Sequence, residues 1–447
     1  MWRSARGPVR KNPDMRSASG PLRAAGRDAD ARLEQLAARG QAARAAGGRF
    51  AAGDPLRAVA ALSVVAFHVA FLTLWFRGVP VDVPELVFGK AFGAGGANAL
   101  AFLNLGLSVF FVLSGYLIAR PFVRAFIAGE RAPAFRSYAR NRLLRIVPAF
   151  WIVFTILLIR HGSSGSSPGE VASIYLFAQN YDNSPAAFMV GSAWTLSVEM
   201  GFYVLVPLAA LGGTLLASRL KRLGDPRSRL ALVVGVVLVV SLASLVYRGL
   251  DPTSGSHVKN LPSNLAAFAP GILLAAFEIE AAPRLAGTRA GRILAVALLG
   301  MAALLLGVFT QLRVESEVWR AFFAAAGAGA LVAAPLVRQW ATGSCWGWLD
   351  NRPLRWLGER SYSVYLVHVG VLIELRSLAR SASRADVGLF LLMAAGLPLT
   401  IVVAHVSHRF FEVPFLRRRR AWRPPPGRAV VADARRKARK SSRSPHG

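Results

Sequence analysis

Of the 447 residues, 54% are hydrophobic and 17% charged, and mean hydropathy is +0.42, which excludes an ordinary soluble domain and points to bilayer-spanning segments. A net charge of +31 would suit nucleic acid, but the basic residues lie between and outside the apolar blocks, where they signal topology instead, so no nucleic-acid partner is expected. The one cysteine, Cys345, excludes an intramolecular disulfide and a multi-cysteine metal site, and no metal is expected.

Residues 1–50 are rich in Arg, Ala, Gly and Asp and read as a disordered basic cytoplasmic arm. The membrane region, residues 51–415, reads as an all-α bundle of about ten spans. Each span is a continuous apolar run of the length a bilayer requires. The spans fall at 55–76, 100–119, 146–159, 191–211, 230–247, 264–279, 293–310, 318–337, 354–375 and 387–410. Residues 171–177 are too short to cross and read as a re-entrant or interfacial piece. Counting that piece would give eleven spans and put the C-terminus outside. With ten, the inside segments are the basic ones, and both termini face the cytoplasm of a bacterial cell. Residues 416–447, with four consecutive arginines and Pro424-Pro425-Pro426, read as a disordered basic cytoplasmic tail.

Ionisable residues inside such spans are costly and point to function. His68 lies 11 residues after Arg57 in the first span. At ~100° and ~1.5 Å per residue, the two lie within about 20° on one stripe and about 16 Å apart along it. Arg57 then stands at the cytoplasmic mouth and His68 near the midplane. Glu199 enters from the outer side in Trp194-Thr195-Leu-Ser-Val-Glu199, roughly 12 Å below that surface. Equal depth makes it a candidate carboxylate partner for the His68 imidazole. A protonated glutamic acid bonded to a helix backbone is the structural alternative. Thr195 and Tyr203 share the Glu199 face.

Three further pieces carry polar groups. In Tyr138-Ala-Arg140-Asn-Arg142-Leu-Leu-Arg145-Ile-Val-Pro148, Arg142 and Arg145 share a face, and Pro148 suits the first turn of a helix. With Arg57 they form a basic mouth suited to a phosphorylated ligand, although such a cluster can also simply anchor a helix. Ser114-Gly115, in the second span, allows close backbone approach. Ser361, Tyr365 and His368 follow i, i+4, i+7 spacing and line one face, as a cavity wall or a helix-packing seam.

Together these pieces resemble the acyltransferase 3 family of bacterial integral membrane O-acyltransferases. The resemblance covers about residues 54–415. It rests on Arg57 with His68, Phe110-Phe-Val-Leu-Ser-Gly-Tyr-Leu117, Arg142-Leu-Leu-Arg145-Ile-Val-Pro148, Trp194 to Glu199, Ser361 to His368 and the closing Phe410-Phe-Glu412-Val-Pro414-Phe. It implies an acyl-CoA donor, usually acetyl-CoA, used as a substrate with no permanently bound cofactor. The acceptor would be a hydroxyl of a glycan, lipid-linked sugar or secondary metabolite. The resemblance makes His68 the essential histidine, and the reading of depth above adds Glu199 as its catalytic carboxylate partner. The resemblance also makes Arg57, Arg142 and Arg145 the conserved arginines, which the basic mouth above casts as donor-binding, while Ser114, Trp194, Tyr365 and His368 are read as substrate or structural support. Transfer could be direct or pass through an acyl-histidine. Family members with a fused extracytoplasmic hydrolase-like domain make a second step that this chain would leave to another protein. The reading from a different class is a proton-coupled transporter or flippase of a glycan or lipid precursor, with His68–Glu199 as its proton relay.

Overall fold

The computed structural model describes residues 50–78, 93, 95–96, 98–181, 185–252, 254–312 and 316–418. The expected arm over 1–50 and tail over 416–447 therefore lie outside the described residues, except for Phe50 and 416–418. Phe50 is not part of a loose arm. It is buried, and its ring meets Tyr116 edge-on at 5.8 Å.

The chain forms α1 (Gly53–Phe76), α2 (Gly106–Ala128), α3 (Phe135–His161), α4 (Pro168–Tyr175), a 3-10 segment (Pro185–Ala193), α5 (Trp194–Arg219) and α6 (Pro226–Leu250). It continues through α7 (Gly255–Lys259), α8 (Leu261–Leu285), α9 (Arg289–Gln311), α10 (Glu317–Thr342), α11 (Arg352–Glu359), α12 (Ser361–Glu374), α13 (Arg376–Ser381), α14 (Ala385–Ser407), a π-helical turn (His408–Glu412) and α15 (Val413–Leu416). Among the described residues, nine helices are long and apolar enough to cross a membrane, and the protein is a multi-pass helical bundle. Helices dominate because a backbone in hydrocarbon must satisfy its own hydrogen bonds.

The expected span over 354–375 takes a different form. It divides at Arg360 into α11 and α12. The 14 residues of α12 make only about 21 Å at ~1.5 Å per residue, short of a hydrocarbon core of ~30 Å. The crossing is completed by α11 and α13: Gly358 meets Asp54 at the start of α1, and Arg77 just past its end donates to the Ala379 carbonyl. Residues 364–372 of α12 are buried, so it is held by protein. α11 instead lies along the start of α1, and a Cβ on Gly358 would collide with the Asp54 carbonyl. Residues 171–177 behave as expected of a non-crossing piece: α4 has 8 residues, opened by a capping box between Ser167 and Glu170.

In lipid, helix association relies on close packing and buried polar bonds more than on hydrophobic burial. α2 and α8 show both. A Cβ on Gly115 would strike the Phe268 carbonyl, and one on Gly271 the Val112 carbonyl. Within two turns of these glycines, Arg120 grips Glu278 through two bonds, Nε to Oε2 at 2.6 Å and a terminal nitrogen to Oε1 at 2.7 Å. Tyr116 adds its hydroxyl to Glu278 at 3.2 Å. The core closest to the candidate site is built from α1, α2, α3, α5 and α12, with Val65, Phe111, Phe150, Phe154, Phe202 and Val364 among its buried side chains.

Candidate active site

Arg57 lies in the second turn of α1, 3.5 Å from Asp54. Arg142 and Arg145 lie on α3. That helix starts at Phe135, so both arginines sit on a continuous helix and Pro148 falls in its interior instead of its first turn. Pro148 has no N–H to return to the preceding turn. Two residues before it, the Ile146 carbonyl accepts a bond from the Tyr362 hydroxyl at 2.7 Å.

The three arginines converge on one open cleft, whose other lining residues include Phe110, Ser114, Thr195, Glu199, Tyr203, Ser361, Tyr362 and Tyr365. Three guanidiniums therefore face a single lining carboxylate, which leaves the cleft basic. Glu199 is held at both oxygens: Ser114 donates to Oε1 at 2.7 Å and Tyr203 to Oε2 at 3.0 Å. Arg142 lies over the rings of Tyr203 and Tyr138 at 5.6 and 5.7 Å. Tyr138 in turn donates to the Tyr203 carbonyl at 3.1 Å. A planar cation stacked on rings keeps its N–H fork free for an anion.

The expected pairing of Glu199 with His68 is not what the fold builds. Glu199 belongs to the arginine cleft, and His68 is not among the residues that line it. The neighbour of His68 is His368, with ring centroids 4.8 Å apart and Nε2 of His368 3.3 Å from Nδ1 of His68. Nδ1 of His68 is also 2.9 Å from the Val64 carbonyl. Equal depth in the membrane was the basis of the expected pair, and depth fixes position along a helix but not direction around it.

Tyr365 connects the two places. Its ring lines the cleft and lies 5.9 Å from Phe110 and 5.8 Å from His368. Its hydroxyl donates to the Ser192 carbonyl and meets Thr195 Oγ1 at 2.5 Å. Thr195 thus supports Tyr365 rather than Glu199. Ser114 is a cleft residue with a definite partner. Trp194 packs against the core, its ring 6.2 Å from Phe111, and does not line the cleft. Tyr362 and Phe110 were not singled out as site residues. An aromatic in an apolar span carries no signal of its own, although Tyr362 adjoins Ser361 in the motif already noted.

An acyltransferase-domain family model matches residues 52–409. The chain belongs to the acyltransferase 3 family. Its similar relatives include the putative peptidoglycan O-acetyltransferase YrhL of Bacillus subtilis, 25% identical over 382 residues, covering 81% of this chain and 54% of the relative. The peptidoglycan O-acetyltransferase OatA of Listeria monocytogenes is 22% identical over 412 residues, covering 81% of this chain and 55% of the relative. The O-acetyltransferase OatA of Staphylococcus aureus is 24% identical over 339 residues, covering 69% and 52%. The chain thus spans about half the length of the curated relatives it matches. No solved structure matches it.

Proposed function

We propose that the protein is an O-acyltransferase that moves an acetyl group from cytoplasmic acetyl-CoA to a hydroxyl of a glycan or another hydroxyl-bearing acceptor. The observation that carries this reading is the convergence of Arg57, Arg142 and Arg145 on one cleft that leads through Tyr365 towards the His68–His368 pair. Guanidiniums offer fixed forks for phosphate oxyanions, and the cleft they line is open. The positive-inside rule places this mouth in the cytoplasm, where acyl-CoA is found, and both termini with it. The names of the relatives, peptidoglycan O-acetyltransferases, favour a cell-wall glycan as acceptor.

His68 acts as the general base. Its Nε2 takes the proton of the acceptor hydroxyl as that oxygen attacks the thioester carbonyl. The C–S bond breaks, and the proton passes from the imidazolium to the departing thiolate, giving free CoA and the O-acyl ester. Such a base contributes typically ~10²–10⁴-fold. Glu199, anchored by Ser114 and Tyr203, spaces the arginines and limits their mutual repulsion. The transporter reading needs a relay between His68 and Glu199, and those two share no hydrogen bond among the described residues.

The test compares cells with and without the gene, by mass spectrometry of cell-wall glycans alongside acetyl-CoA consumption by the purified protein. The reading expects an acetyl mass lost from the glycan and free CoA released by the protein. Proton-coupled uptake with no acetyl-CoA consumption would overturn it.

A further inference from the structure

The protonation pattern of the histidine pair follows from partners that can only accept. Nδ1 of His368 is 2.8 Å from the Tyr365 carbonyl. A carbonyl oxygen has no proton, so this nitrogen carries the hydrogen. His368 is wholly buried, which favours the neutral ring, and its Nε2 is then an open lone pair. Nδ1 of His68 faces the Val64 carbonyl at 2.9 Å and carries a hydrogen for the same reason. That N–H also points to Nε2 of His368 at 3.3 Å. The bonds run one way, from His68 to His368 to the backbone of α12. Only Nε2 of His68 keeps a free lone pair, and it has no partner among the described residues.

We propose that His368 is the positioning residue of His68: it accepts the Nδ1 hydrogen across the helix boundary and so holds the ring, with Nε2 as its basic atom, against α12. The proposal rests on the acyl-transfer reading above and deepens it. The Val64 carbonyl, four residues back on the same helix, can hold the His68 ring only relative to α1. His368 holds it relative to α12, the helix whose Tyr365 walls the donor cleft. The two rings meet at 71°, and Phe67 meets the His68 ring edge-on at 5.2 Å, so rotation is checked from two sides. When Nε2 takes the hydroxyl proton, the Nδ1–H becomes a charge-assisted donor shared between two acceptors. A carboxylate often occupies this place beside a catalytic imidazole. A neutral imidazole accepts the same hydrogen without a second buried charge in the membrane interior.

The test uses the full chain in lipid nanodiscs, with acetyl-CoA as the donor probe and cell-wall fragments of the source cells as acceptor. His368→Phe keeps the ring volume and removes both nitrogens, and His368→Gln keeps an acceptor oxygen near the Nε2 position. We expect His368→Phe to lower the maximal rate roughly a hundredfold, as small misplacements of a reacting group do, with the KM for acetyl-CoA unchanged. His368→Gln should recover most of that rate. Nitrogen-15 NMR of histidine-labelled protein should find His68 as the Nδ1–H tautomer in the parent. A folded His368→Phe at the parental rate would overturn the proposal. So would a His368→Gln as slow as the Phe variant, or a parent in which His68 is the Nε2–H tautomer. His68→Ala, run alongside, separates the two levels. If it keeps the parental rate, the acyl-transfer reading through His68 fails. If it is inactive while His368→Phe is not, only the positioning role fails.

Discussion

Arg142 reaches the cleft by lying across Tyr138 and Tyr203, and Tyr203 in turn holds Glu199. The guanidinium is thus fixed by aromatic faces while its N–H groups remain available to a phosphate. Lysine keeps the charge but loses the flat stacking surface and the two-pronged geometry. Arg142→Lys should therefore raise the KM for acetyl-CoA about tenfold, near the ~1.4 kcal/mol of a lost directed contact, with the maximal rate retained; steady-state kinetics in nanodiscs checks this. The site residues were legible in the sequence because a polar group inside an apolar span stands out. Arg57, Arg142, Arg145, Ser114, Glu199 and Tyr365 do meet in one cleft. Which of them pair was not legible. Depth alone matches Glu199 with His68, whereas the azimuth that gives Glu199 to Ser114 and His68 to His368 is set by how α5 packs against α2 and α12 against α1.

At the scale of elements, α2 and α8 depend on two devices within two turns. The glycine contacts at Gly115 and Gly271 bring the backbones together, and Arg120–Glu278 closes the pair with a buried two-pronged bond. Glu278→Ala would remove the carboxylate that accepts two bonds from the Arg120 guanidinium, and breaking such a pair costs ~3–5 kcal/mol. The expected result is a clear fall in the unfolding temperature in detergent. The double change Arg120→Leu with Glu278→Leu should recover much of it, since no uncompensated charge is left. Most spans were legible because their apolar runs have the length of a bilayer. The exception is 354–375, where apolar content alone cannot tell one continuous helix from a crossing broken at Arg360. The close approach of Gly358 to Asp54 and the burial of α12 are tertiary facts that decide the break.

For the whole molecule, the basic mouth and the chain ends are expected on one side of the membrane. Reporter fusions test this: alkaline phosphatase fused after Lys259, in α7, should be active outside the cytoplasm, and the same reporter fused after Arg418 should be inactive. Both fusions active would reverse the assignment of the C-terminal end. The chain spans about half of each relative named above, and the proposed transfer is placed in the membrane bundle, where the cleft and the histidine pair both lie. The most direct measurement of that division of labour is acetyl-CoA binding and turnover on the purified protein, comparing His68→Ala with Arg145→Ala. His68→Ala should bind acetyl-CoA as the parent does while turnover falls about 10²–10⁴-fold, and Arg145→Ala should weaken binding. Turnover at the parental rate in His68→Ala, or unchanged donor affinity in Arg145→Ala, would contradict it.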